Sequence, residues 1–457
     1  MIATAPSQAG LAMARLDTWL QSLRSTPATE QGGCAGYGGP VVHWWRDSML
    51  FCGPGFDWRY EGIIHGYLTL FRRTGHQAWL ERAVRAGDDL LAAQLETANF
   101  RHSGFELNPV GAGTPHEAAA DIGLLALAAA LKREAAAPAP SGLGAWRPYL
   151  AAAQRNLSQF YVGTLWDEVG RRFADDPGRT SFVPNKAATV VEALFLLADL
   201  TGDEVWIDRY ALPTLDAILT HQVRRPGHPL HGGIVQNSLR GTVVEKYFPF
   251  YVARCVPALV AAAGWHAGQR YLEAAMAAGA FLLRWRDPDG AFPQVVYAQG
   301  RVNRYPRWVA GLGDILRAIE LLRPHGLQLS SAELERSRQW LAGHQLPHGA
   351  IPPAEGFAAQ VSQRPPAGPP DLRDLMPVAG WADKAFRYLA ESADLPAAAP
   401  GSAAAEPVVL PCSVHGRAAT YREDATTVEV ILDGAVYYRW LKGETWATAE
   451  PEERLAR

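Results

Sequence analysis

Apolar residues recur along the chain with the spacing of a helix that has one buried side. In one segment they lie at offsets 0, 3, 4, 7, 10 and 11, at Leu80, Ala83, Val84, Gly87, Leu90 and Leu91. The same offsets describe the segments that begin at Leu272 and Ile207, and Leu150 begins a further copy. Residues 9–24 and 331–345 follow the pattern less regularly. The spacing places apolar side chains on one side of a helix, so it predicts six amphipathic helices.

A second class of segments is apolar on nearly all sides. These segments cover residues 58–74, 116–134, 185–201, 245–263, 306–324 and 378–392. A helix that is apolar all round is surrounded by protein. Because the two classes alternate along the chain, we predict twelve helices, with an inner ring of six inside an outer ring of six.

A turn that contains glycine follows each amphipathic segment. Its glycines are Gly38, Gly104, Gly170, Gly232, Gly290 and Gly349, which by subtraction lie about 66, 66, 62, 58 and 59 residues apart. A repeat of about 60 residues is long enough for two helices and two loops. Six units close a ring, whereas an open helical solenoid would need polar end caps. We therefore predict an all-α fold, an (α/α)6 toroid of six helical hairpins.

The C-terminal part of the sequence has a different pattern. Residues 395–407 form a Pro/Ala-rich linker, and beyond it two β-rich runs, 427–432 and 435–440, flank Asp433-Gly434. Asp-Gly between such runs is typical of a two-residue hairpin. We predict a toroid domain at residues 1–394, a linker at 395–407 and a short β-hairpin tail at 408–457 that packs on the toroid, since an isolated hairpin is marginally stable in water.

Composition and charge narrow the classes of partner and compartment. Of the 457 residues, 48% are hydrophobic and 19% are charged, and the net charge is −3. No run of Lys and Arg is present, which argues against nucleic acid or an anionic membrane as a partner. No window approaches the roughly 18 apolar residues of a membrane span. With no secretory signal pattern at the N-terminus and four widely spaced cysteines, we predict a cytoplasmic protein with reduced thiols; the oligomeric state stays open.

Several connections resemble a known superfamily. These are the TG-x-x-x-W-[LI] segments at Thr74–Leu80 and Thr201–Ile207 and the turn at Asp289-Gly290. Together with the six hairpins, they resemble the six-hairpin glycosidase superfamily over about residues 9–392. That group includes unsaturated glucuronyl hydrolases, and N-acylglucosamine 2-epimerases share its barrel. The resemblance implies a pocket at the end of the barrel where the inner helices begin, usually holding a sugar.

The first inner helix carries one group of candidate catalytic residues. Asp57, Glu61 and His65 recur every four residues and therefore share a helix face, with Trp58 and Arg59 between them. Two carboxyl groups in one concave site are what glycosidic bond cleavage requires, because one protonates the leaving oxygen and the other activates water or attacks. The alternative is a cluster of charges that suits the start of a helix.

The second inner helix opens with His116, Glu117 and Asp121. His116 is a candidate proton shuttle because the pKa of imidazole lies near neutrality. Glu117 is better explained as half of a capping box with Thr114. Asp121 lies inside an alanine-rich stretch, where a carboxyl group needs a partner.

Other candidates open the remaining inner helices. Glu245 is a candidate general acid or base, and Trp58, Arg59, Lys186, Tyr247, Arg307 and Trp381 are candidates for substrate binding. Structural ion pairs are the competing interpretation for Arg307 with Asp314 and for Asp383 with Arg387.

We therefore predict a carbohydrate-active enzyme, of glycoside hydrolase type, that uses carboxyl groups in a central pocket on a small-molecule or oligosaccharide substrate. One alternative is a cofactor-free sugar 2-epimerase that uses two histidines, for which His231 and His348 occupy equivalent turns. Another is a non-catalytic toroid that binds a glycan or a protein. Because no GxxxxGK[ST], strand-linked GxGxxG or HExxH motif is present, we predict neither a cofactor nor a metal ion.

Overall fold

The computed structural model describes residues 8–25, 35–42, 49–52, 55–101, 114–136, 145–266, 268–357, 362–393, 406–444 and 448–449. The turn predicted at Gly104 and the linker residues 395–405 lie outside these ranges. The predicted boundary between toroid and tail therefore stays a prediction.

Within the described residues, six helices form an inner ring. They are α2 (Arg59–Thr74), α4 (Ala119–Ala135), α6 (Pro184–Thr201), α8 (Pro249–Ala261), α10 (Leu312–Leu322) and α13 (Ala379–Ser392). Each packs against the next, and α13 packs against α2, so the ring closes. In α13 every residue from Ala379 to Ala390 is buried, as expected for a helix that is enclosed by protein.

An outer layer of helices surrounds this ring. It comprises α1 (Gln8–Ser22), α3 (Gln77–Ala93), α5 (Arg147–Arg155, continued by a π-helix to Leu165), α7 (Leu212–Thr220, preceded by a π-helix from Trp206), α9 (Gln269–Trp285) and α11 (Ser331–Gly343). In α3 the buried residues include Leu80, Ala83, Gly87 and Leu90, four of the positions in the predicted register. The prediction of a mostly helical protein is confirmed.

The two TG motifs end inner helices. Gly75 and Gly202 are the C-caps of α2 and α6, with φ angles of 71° and 74°. A left-handed residue allows the chain to leave the helix while its N–H still bonds the last turn, and glycine adopts that conformation without steric strain. Both copies of the motif thus mark a connection from an inner helix to the next outer helix.

Small sheets, which the sequence pattern did not predict, occupy the connections between outer and inner helices. They contain β1 (Gly39–Val42), β2 (Met49–Cys52), β3 (Trp166–Asp167), β4 (Arg172–Phe173), β5 (Ser181–Phe182), β6 (Asn237–Leu239), β7 (Thr242–Val244), β8 (Lys246–Tyr247), β9 (Val295–Tyr297), β10 (Val302–Asn303), β11 (Arg307–Trp308) and β12 (Ala354–Glu355). All of their pairings are antiparallel.

Because of these strands, two inner helices begin later in the sequence than predicted. The fourth was predicted from residue 245 but begins at Pro249, because Phe248 is extended, as a residue before proline prefers to be. The fifth was predicted from residue 306 but begins at Leu312, because Arg307 and Trp308 pair with β12 instead.

The tail is larger than the predicted hairpin. The hairpin itself is present as β15 (Thr427–Leu432) and β16 (Ala435–Leu441), with positive φ at Asp433 and Gly434. The strands β13 (Val408–Val414), β14 (Arg417–Glu423) and β17 (Thr448–Ala449) extend it to a five-stranded antiparallel sheet in sequence order. Pro411 is tolerated because β13 lies at the edge of this sheet.

The tail sheet contacts both the first and the last hairpin of the ring. Its Glu423, which is 2% exposed, accepts a hydrogen bond of 2.7 Å from Nε1 of Trp19 in α1. The same carboxylate lies 3.1 Å from Nε2 of His348, in the turn after α11, and 2.7 Å from Nζ of Lys442. A one-turn helix, α12 (Leu372–Leu375), also packs on β13. Glu423 therefore joins the tail to both ends of the helical repeat.

None of the described helices combines the length and the apolar character that a membrane span requires.

Candidate functional site

Charged side chains from several inner helices meet at the centre of the ring, which we call the axis. Glu61 of α2 accepts two hydrogen bonds from Arg254 of α8, at 2.9 and 2.7 Å, and a third from Arg387 of α13 at 2.5 Å. All three side chains are buried. Helices that are far apart in the sequence are thus joined by one carboxylate.

The ion pairs continue along the axis. Glu192 of α6 lies 3.7 Å from Arg254 and 3.5 Å from Arg317 of α10. Glu391, near the C-terminal end of α13, lies 3.7 Å from Arg387 and 4.0 Å from Arg317. We call Glu61, Glu192, Arg254, Arg317, Arg387 and Glu391 the axial network.

The axial network holds Glu61 in its ionised form. Burial alone would raise the pKa of this carboxyl, but the charges of Arg254 and Arg387 outweigh burial and lower the pKa well below the usual range. A carboxylate that is so strongly paired is a poor proton donor at neutral pH. Glu61 therefore supports the site rather than supplying protons to it.

Asp57 is also engaged by a neighbour. Its Oδ1 accepts from Nε of Arg59 at 2.8 Å, and both side chains are buried. Arg59 in turn donates to the carbonyl of Tyr37 at 2.7 Å. Through these bonds, Asp57 and Arg59 hold the N-terminal end of α2 against Tyr37, which precedes β1.

His65 and His116 lie near the axial charges, and each has a buried nitrogen without a hydrogen-bond partner among the described residues, Nε2 and Nδ1 respectively. Burial lowers the pKa of His65 well below its usual value, with Arg387 and Arg317 acting in the same direction. Burial also lowers the pKa of His116, assisted by Arg254 and Lys384. Both imidazoles are therefore neutral at pH 7.

The third inner helix presents polar groups to the axis. The hydroxyl of Thr189 accepts from Nε of Arg254 at 3.2 Å, so this side of α6 faces the axial network. Asn185 lies one turn earlier on the same side, is 6% exposed, and has an Oδ1 without a partner within the described chain.

Asp383 of α13 is the buried carboxyl whose properties best suit proton donation. It is 1% exposed and accepts from Nζ of Lys384 at 3.1 Å. Burial raises the pKa of Asp383 to about 7. The negative charges of Asp314 and Glu61 also raise this pKa, whereas the positive charge of Lys384 lowers it. Asp314, in the first turn of α10, is also buried and acts electrostatically on Arg254.

Aromatic rings line the same end of the ring. The ring of Trp308 stacks on that of Trp381 with centroids 4.5 Å apart and an interplanar angle of 23°. The ring of Phe250 lies 5.3 Å from Trp381. On α2, Trp58 donates to the carbonyl of Gly380 at 2.8 Å, and its ring lies 4.9 Å from His116. Predicted candidates Trp58 and Trp381 thus lie beside the axis.

Asp121 lies between the two helical layers. It is 0% exposed and accepts from Nδ2 of Asn156, on the outer layer, at 2.9 Å. Burial raises its pKa well above the usual value, because the neutral Asn156 offsets little of the desolvation. Glu117 belongs to the 3₁₀ turn Pro115–Ala118, where Thr114 makes no side-chain cap; the predicted capping box is absent there.

The candidates at the fourth inner helix lie before it. Glu245 is exposed between β7 and β8. Tyr247 is 1% exposed and packs towards the outer helix α9, with its ring 6.2 Å from that of Phe281. Burial raises the pKa of Tyr247 to about 12.

Two basic candidates have acidic partners. Nζ of Lys186 lies 3.3 Å from Oδ1 of Asp175. Nη1 of Arg307 lies 2.6 Å from Asp289, and its Nε donates to Glu355 at 2.5 Å. The pairing of Arg307 with Asp314 that sequence spacing suggested is not formed, because Arg307 belongs to β11 and not to the helix.

The histidines of the two equivalent turns have different surroundings. His348 is 2% exposed and lies against Glu423 and Tyr421 of the tail sheet. The carbonyl of His231 accepts from Arg284 of the outer helix α9 at 3.4 Å. His65 and His116 are the histidines that lie near the axial charges.

Sequence reasoning assigned Asp314 and Asp383 to structural ion pairs and gave Glu192, Arg317 and Asn185 no catalytic or binding role. These residues could have been found in the sequence as ionisable residues within otherwise apolar helices. Burying such a side chain is costly unless it is paired or functional. The described residues contain no group of three or more His, Cys, Asp or Glu side chains placed to hold a metal ion.

No protein-family model matches the sequence. A comparison with curated proteins finds no match either.

Solved structures do share the fold. A possible member of the GH105 family from Klebsiella pneumoniae subsp. pneumoniae matches with a TM-score of 0.56 at 11% identity, over 83% of this chain and 91% of its own. An unsaturated glucuronyl hydrolase specific for heparin matches with a TM-score of 0.53 at 12% identity, over 84% and 96% of the two chains. The cellobiose 2-epimerase from Bacillus thermoamylovorans matches with a TM-score of 0.57 at 12% identity, over 83% and 98%. At these identities the likeness concerns the fold alone: the chain is mostly helical, and these neighbours are of the (α/α)6 toroid type.

Proposed function

We propose that this protein is a carbohydrate-active enzyme that cleaves a glycosidic bond at the axis, where the inner helices begin. The observation that carries the proposal is Asp383, a buried carboxyl with a pKa of about 7 that interacts with a second carboxyl, Asp314, on the neighbouring inner helix. The solved structures of similar fold include carbohydrate hydrolases and an epimerase, which supports the substrate class.

The proposed chemistry divides two roles between the carboxyls. Protonated Asp383 donates its proton to the glycosidic oxygen as the bond from that oxygen to the anomeric carbon breaks. Asp314 either attacks the anomeric carbon, forming a glycosyl ester that water then hydrolyses, or removes a proton from a water molecule that attacks that carbon. In both cases the hydroxyl group of water ends on the anomeric carbon, and the remaining proton of water restores the carboxyl groups to their starting states.

This assignment moves the catalytic role away from most of the residues that the sequence suggested. Asp57 and Glu61 are paired with arginines, Asp121 points from α4 towards Asn156 of the outer layer, and Glu245 is exposed before α8 begins. Trp58 and Trp381 remain candidates for stacking on a sugar face.

The experiment compares wild type with Asp383→Asn, Asp314→Asn and the control Asp121→Asn. Release of reducing sugar is measured on 4-nitrophenyl glycosides and on unsaturated uronide disaccharides. We expect hydrolysis to fall at least about 100-fold in Asp383→Asn, which loses the general acid, and in Asp314→Asn, which loses the nucleophile or base. Hydrolysis should persist in the control. Unchanged turnover in both axial variants would reject the assignment.

A 2-epimerase is the second candidate, and the observation that favours it is the pair of neutral histidines, His65 and His116, near the axis. An epimerase removes the proton at C2 and returns it to the other face of the sugar. Exchange of that hydrogen with D2O, observed by NMR on cellobiose and N-acetylglucosamine, distinguishes it from a hydrolase. Exchange that disappears in His65→Gln and His116→Gln, with no hydrolysis, would establish the epimerase instead.

A further inference from the structure

We infer that Thr114, His116 and Asn185 form a subsite that binds the hydroxyl groups of a pyranose, across the axis from Asp314 and Asp383. The inference rests on the proposed function, since it names the part of that site that recognises the sugar. The subsite belongs to the second and third inner helices, whereas the carboxyls belong to the fifth and sixth.

Each of the three side chains has a buried polar atom that no described residue satisfies. These atoms are Oγ1 of Thr114, Nδ1 of His116 and Oδ1 of Asn185. Thr114 is 3% exposed and Asn185 is 6% exposed. Buried polar groups in folded proteins almost always have partners, so a group of unpartnered atoms requires an explanation. A ligand that supplies the missing hydrogen bonds is one such explanation.

The three residues lie together at one end of the ring. Thr114 and His116 belong to the 3₁₀ turn that leads into α4, and this turn packs on α6. Lys186, the neighbour of Asn185, acts electrostatically on His116. The ring of His116 lies 4.9 Å from that of Trp58, which precedes α2, and the charges of Arg254 and Glu61 act on the imidazole, so His116 lies near the axis.

Asn185 faces the axis for a separate reason. Thr189 lies four residues later in α6 and bonds Arg254, while Glu192 follows on the same side and contacts Arg254 as well. Residues at this spacing share one helix face. Asn185 is therefore the first polar group of that face, above the axial network.

The order of helices around the ring determines what the subsite faces. Contacts run from α2 through α4, α6, α8 and α10 to α13 and back to α2. In a ring of six, α4 lies opposite α10, and α6 lies opposite α13. A ligand held by Thr114, His116 and Asn185 would thus present its far side to Asp314 and Asp383.

The chemistry of the unpartnered atoms selects hydroxyl groups. The amide oxygen of Asn185 accepts only, a threonine hydroxyl donates and accepts, and a neutral imidazole nitrogen donates or accepts according to its tautomer. A carboxylate or phosphate cannot donate to an amide oxygen. A sugar hydroxyl can donate to one group while accepting from another, so adjacent hydroxyls of a pyranose match the set.

The test measures binding of methyl glycosides of glucose, galactose, mannose, xylose and glucuronic acid by calorimetry. The variants are Thr114→Val, which keeps the side-chain shape, and Asn185→Ala, with Thr220→Val on the outer helix α7 as the matched control. We expect Thr114→Val and Asn185→Ala each to weaken binding of the preferred glycoside at least tenfold. We expect the control to bind as wild type does.

Deoxy analogues of the preferred glycoside provide a readout that a purely structural role would not change. Removing the recognised hydroxyl should weaken binding to wild type, yet have little further effect on the variant that lacks its partner. Melting temperatures of the variants establish that they are folded.

The outcomes separate the subsite from the proposed function. Wild-type binding that persists in Thr114→Val and Asn185→Ala overturns the subsite and leaves the hydrolase proposal intact. Binding lost in these variants, with turnover unchanged in Asp383→Asn, supports the subsite and overturns the catalytic assignment. Absence of binding by wild type to every glycoside of the panel overturns the subsite and removes the support for a pyranose substrate.

Discussion

At the scale of single residues, two buried carboxyls have opposite environments. Glu61 lies between Arg254 and Arg387, and their charges lower its pKa despite burial. Asp121 has Asn156 as its partner, and burial raises its pKa well above the usual value. Ion pairing thus favours the anion at Glu61, and burial favours the protonated form at Asp121, although both are side chains of inner helices.

This difference predicts opposite responses to amide substitution. Glu61→Gln removes the nearest counter-ion of two buried arginines, Arg254 and Arg387, and should lower the free energy of unfolding by about 3 to 5 kcal/mol. Asp121→Asn replaces a neutral acid by a neutral amide of the same shape and should change it by less than about 1 kcal/mol. Urea denaturation at pH 7 measures both. Equal losses in the two variants would contradict the assigned charge states.

Asp383 predicts a dependence of both activity and stability on pH. As a general acid it must be protonated, so hydrolysis should decline as pH rises above about 7. Because the pKa of Asp383 is raised in the folded state from 3.8 to about 7, its contribution to stability is complete below pH 3.8 and is lost as pH rises to about 7.

The matched experiment for Asp383 uses Asp383→Asn, which cannot ionise. Wild type and variant should be equally stable near pH 4, and the variant should be the more stable at pH 8. Thermal unfolding across this range gives the comparison. A stability difference that does not vary with pH would show that Asp383 does not titrate there.

Sequence periodicity was sufficient to place Glu61 and His65 on one helix face, but it could not identify their partners. Arg254 and Arg387 lie 193 and 326 residues from Glu61 in the chain. A charge in an apolar helix indicates that a partner is required, yet only the closure of the ring determines which one is near. Asp383 was assigned to Arg387, but it pairs with its neighbour Lys384, because ring closure brings Glu61 to Arg387 instead.

At the scale of elements, three glycine turns make the same contact. Gly232, Gly290 and Gly349 all have positive φ, and an added Cβ would meet the backbone of the next outer helix, at Ala277, Ser337 and Arg15 respectively. The turn after each of these outer helices thus approaches its neighbour more closely than a side chain allows. In the last case the neighbour is α1.

Gly349→Ala should therefore destabilise the protein more than an alanine at an open turn. An added Cβ at Gly349 would lie 2.3 Å from the carbonyl oxygen of Arg15, whereas Gly326 has a similar φ and nothing within 4 Å. We expect a loss of roughly 2 to 4 kcal/mol for Gly349→Ala and about 1 kcal/mol for Gly326→Ala. Chemical denaturation of the two variants provides the test, and similar losses would mean that the close approach has little energetic weight.

The elements were predicted where a single period dominates the sequence. Helix α3 follows a 3.6-residue pattern throughout, and Thr427–Leu432 and Ala435–Leu441 are β-rich runs on either side of an Asp-Gly turn. Pairs such as β11 with β12 were missed because two-residue strands have no period, and their partners lie far along the chain. Strand β13 was missed because Pro411 interrupts its pattern, which only an edge position permits.

At the scale of the whole molecule, the tail sheet holds the first and last hairpins together. Trp19 belongs to the first, His348 to the last, and both contact Glu423. Burial opposes ionisation of Glu423, but Lys442 and His348 lower its pKa well below the usual range. This carboxylate therefore contributes stability above its ordinary pKa of 4.5, and the contribution is lost as pH falls.

Glu423→Gln should weaken the contact between the tail sheet and the two hairpins, and thereby lower the free energy of unfolding. We expect a loss of about 3 kcal/mol at pH 7, because Lys442 is left as a buried, uncompensated charge, and a smaller difference from wild type below about pH 4. Glu429→Gln on the same sheet is the control, since its partners Arg422 and Arg439 are exposed and it should change stability by less than about 1 kcal/mol. A loss that stays constant down to pH 3 would contradict the role of the carboxylate charge.

The axial network has a consequence for how the protein responds to engineering. Because the buried charged side chains of Glu61, Arg254 and Arg387 occupy the centre, the apolar interior forms a ring between the two helical layers rather than a solid core. Buried ion clusters of this kind are often less stabilising than well-packed apolar side chains of similar volume. Replacing these charged side chains by leucine and methionine should therefore give a more stable scaffold, and it would remove the charges on which the proposed chemistry depends.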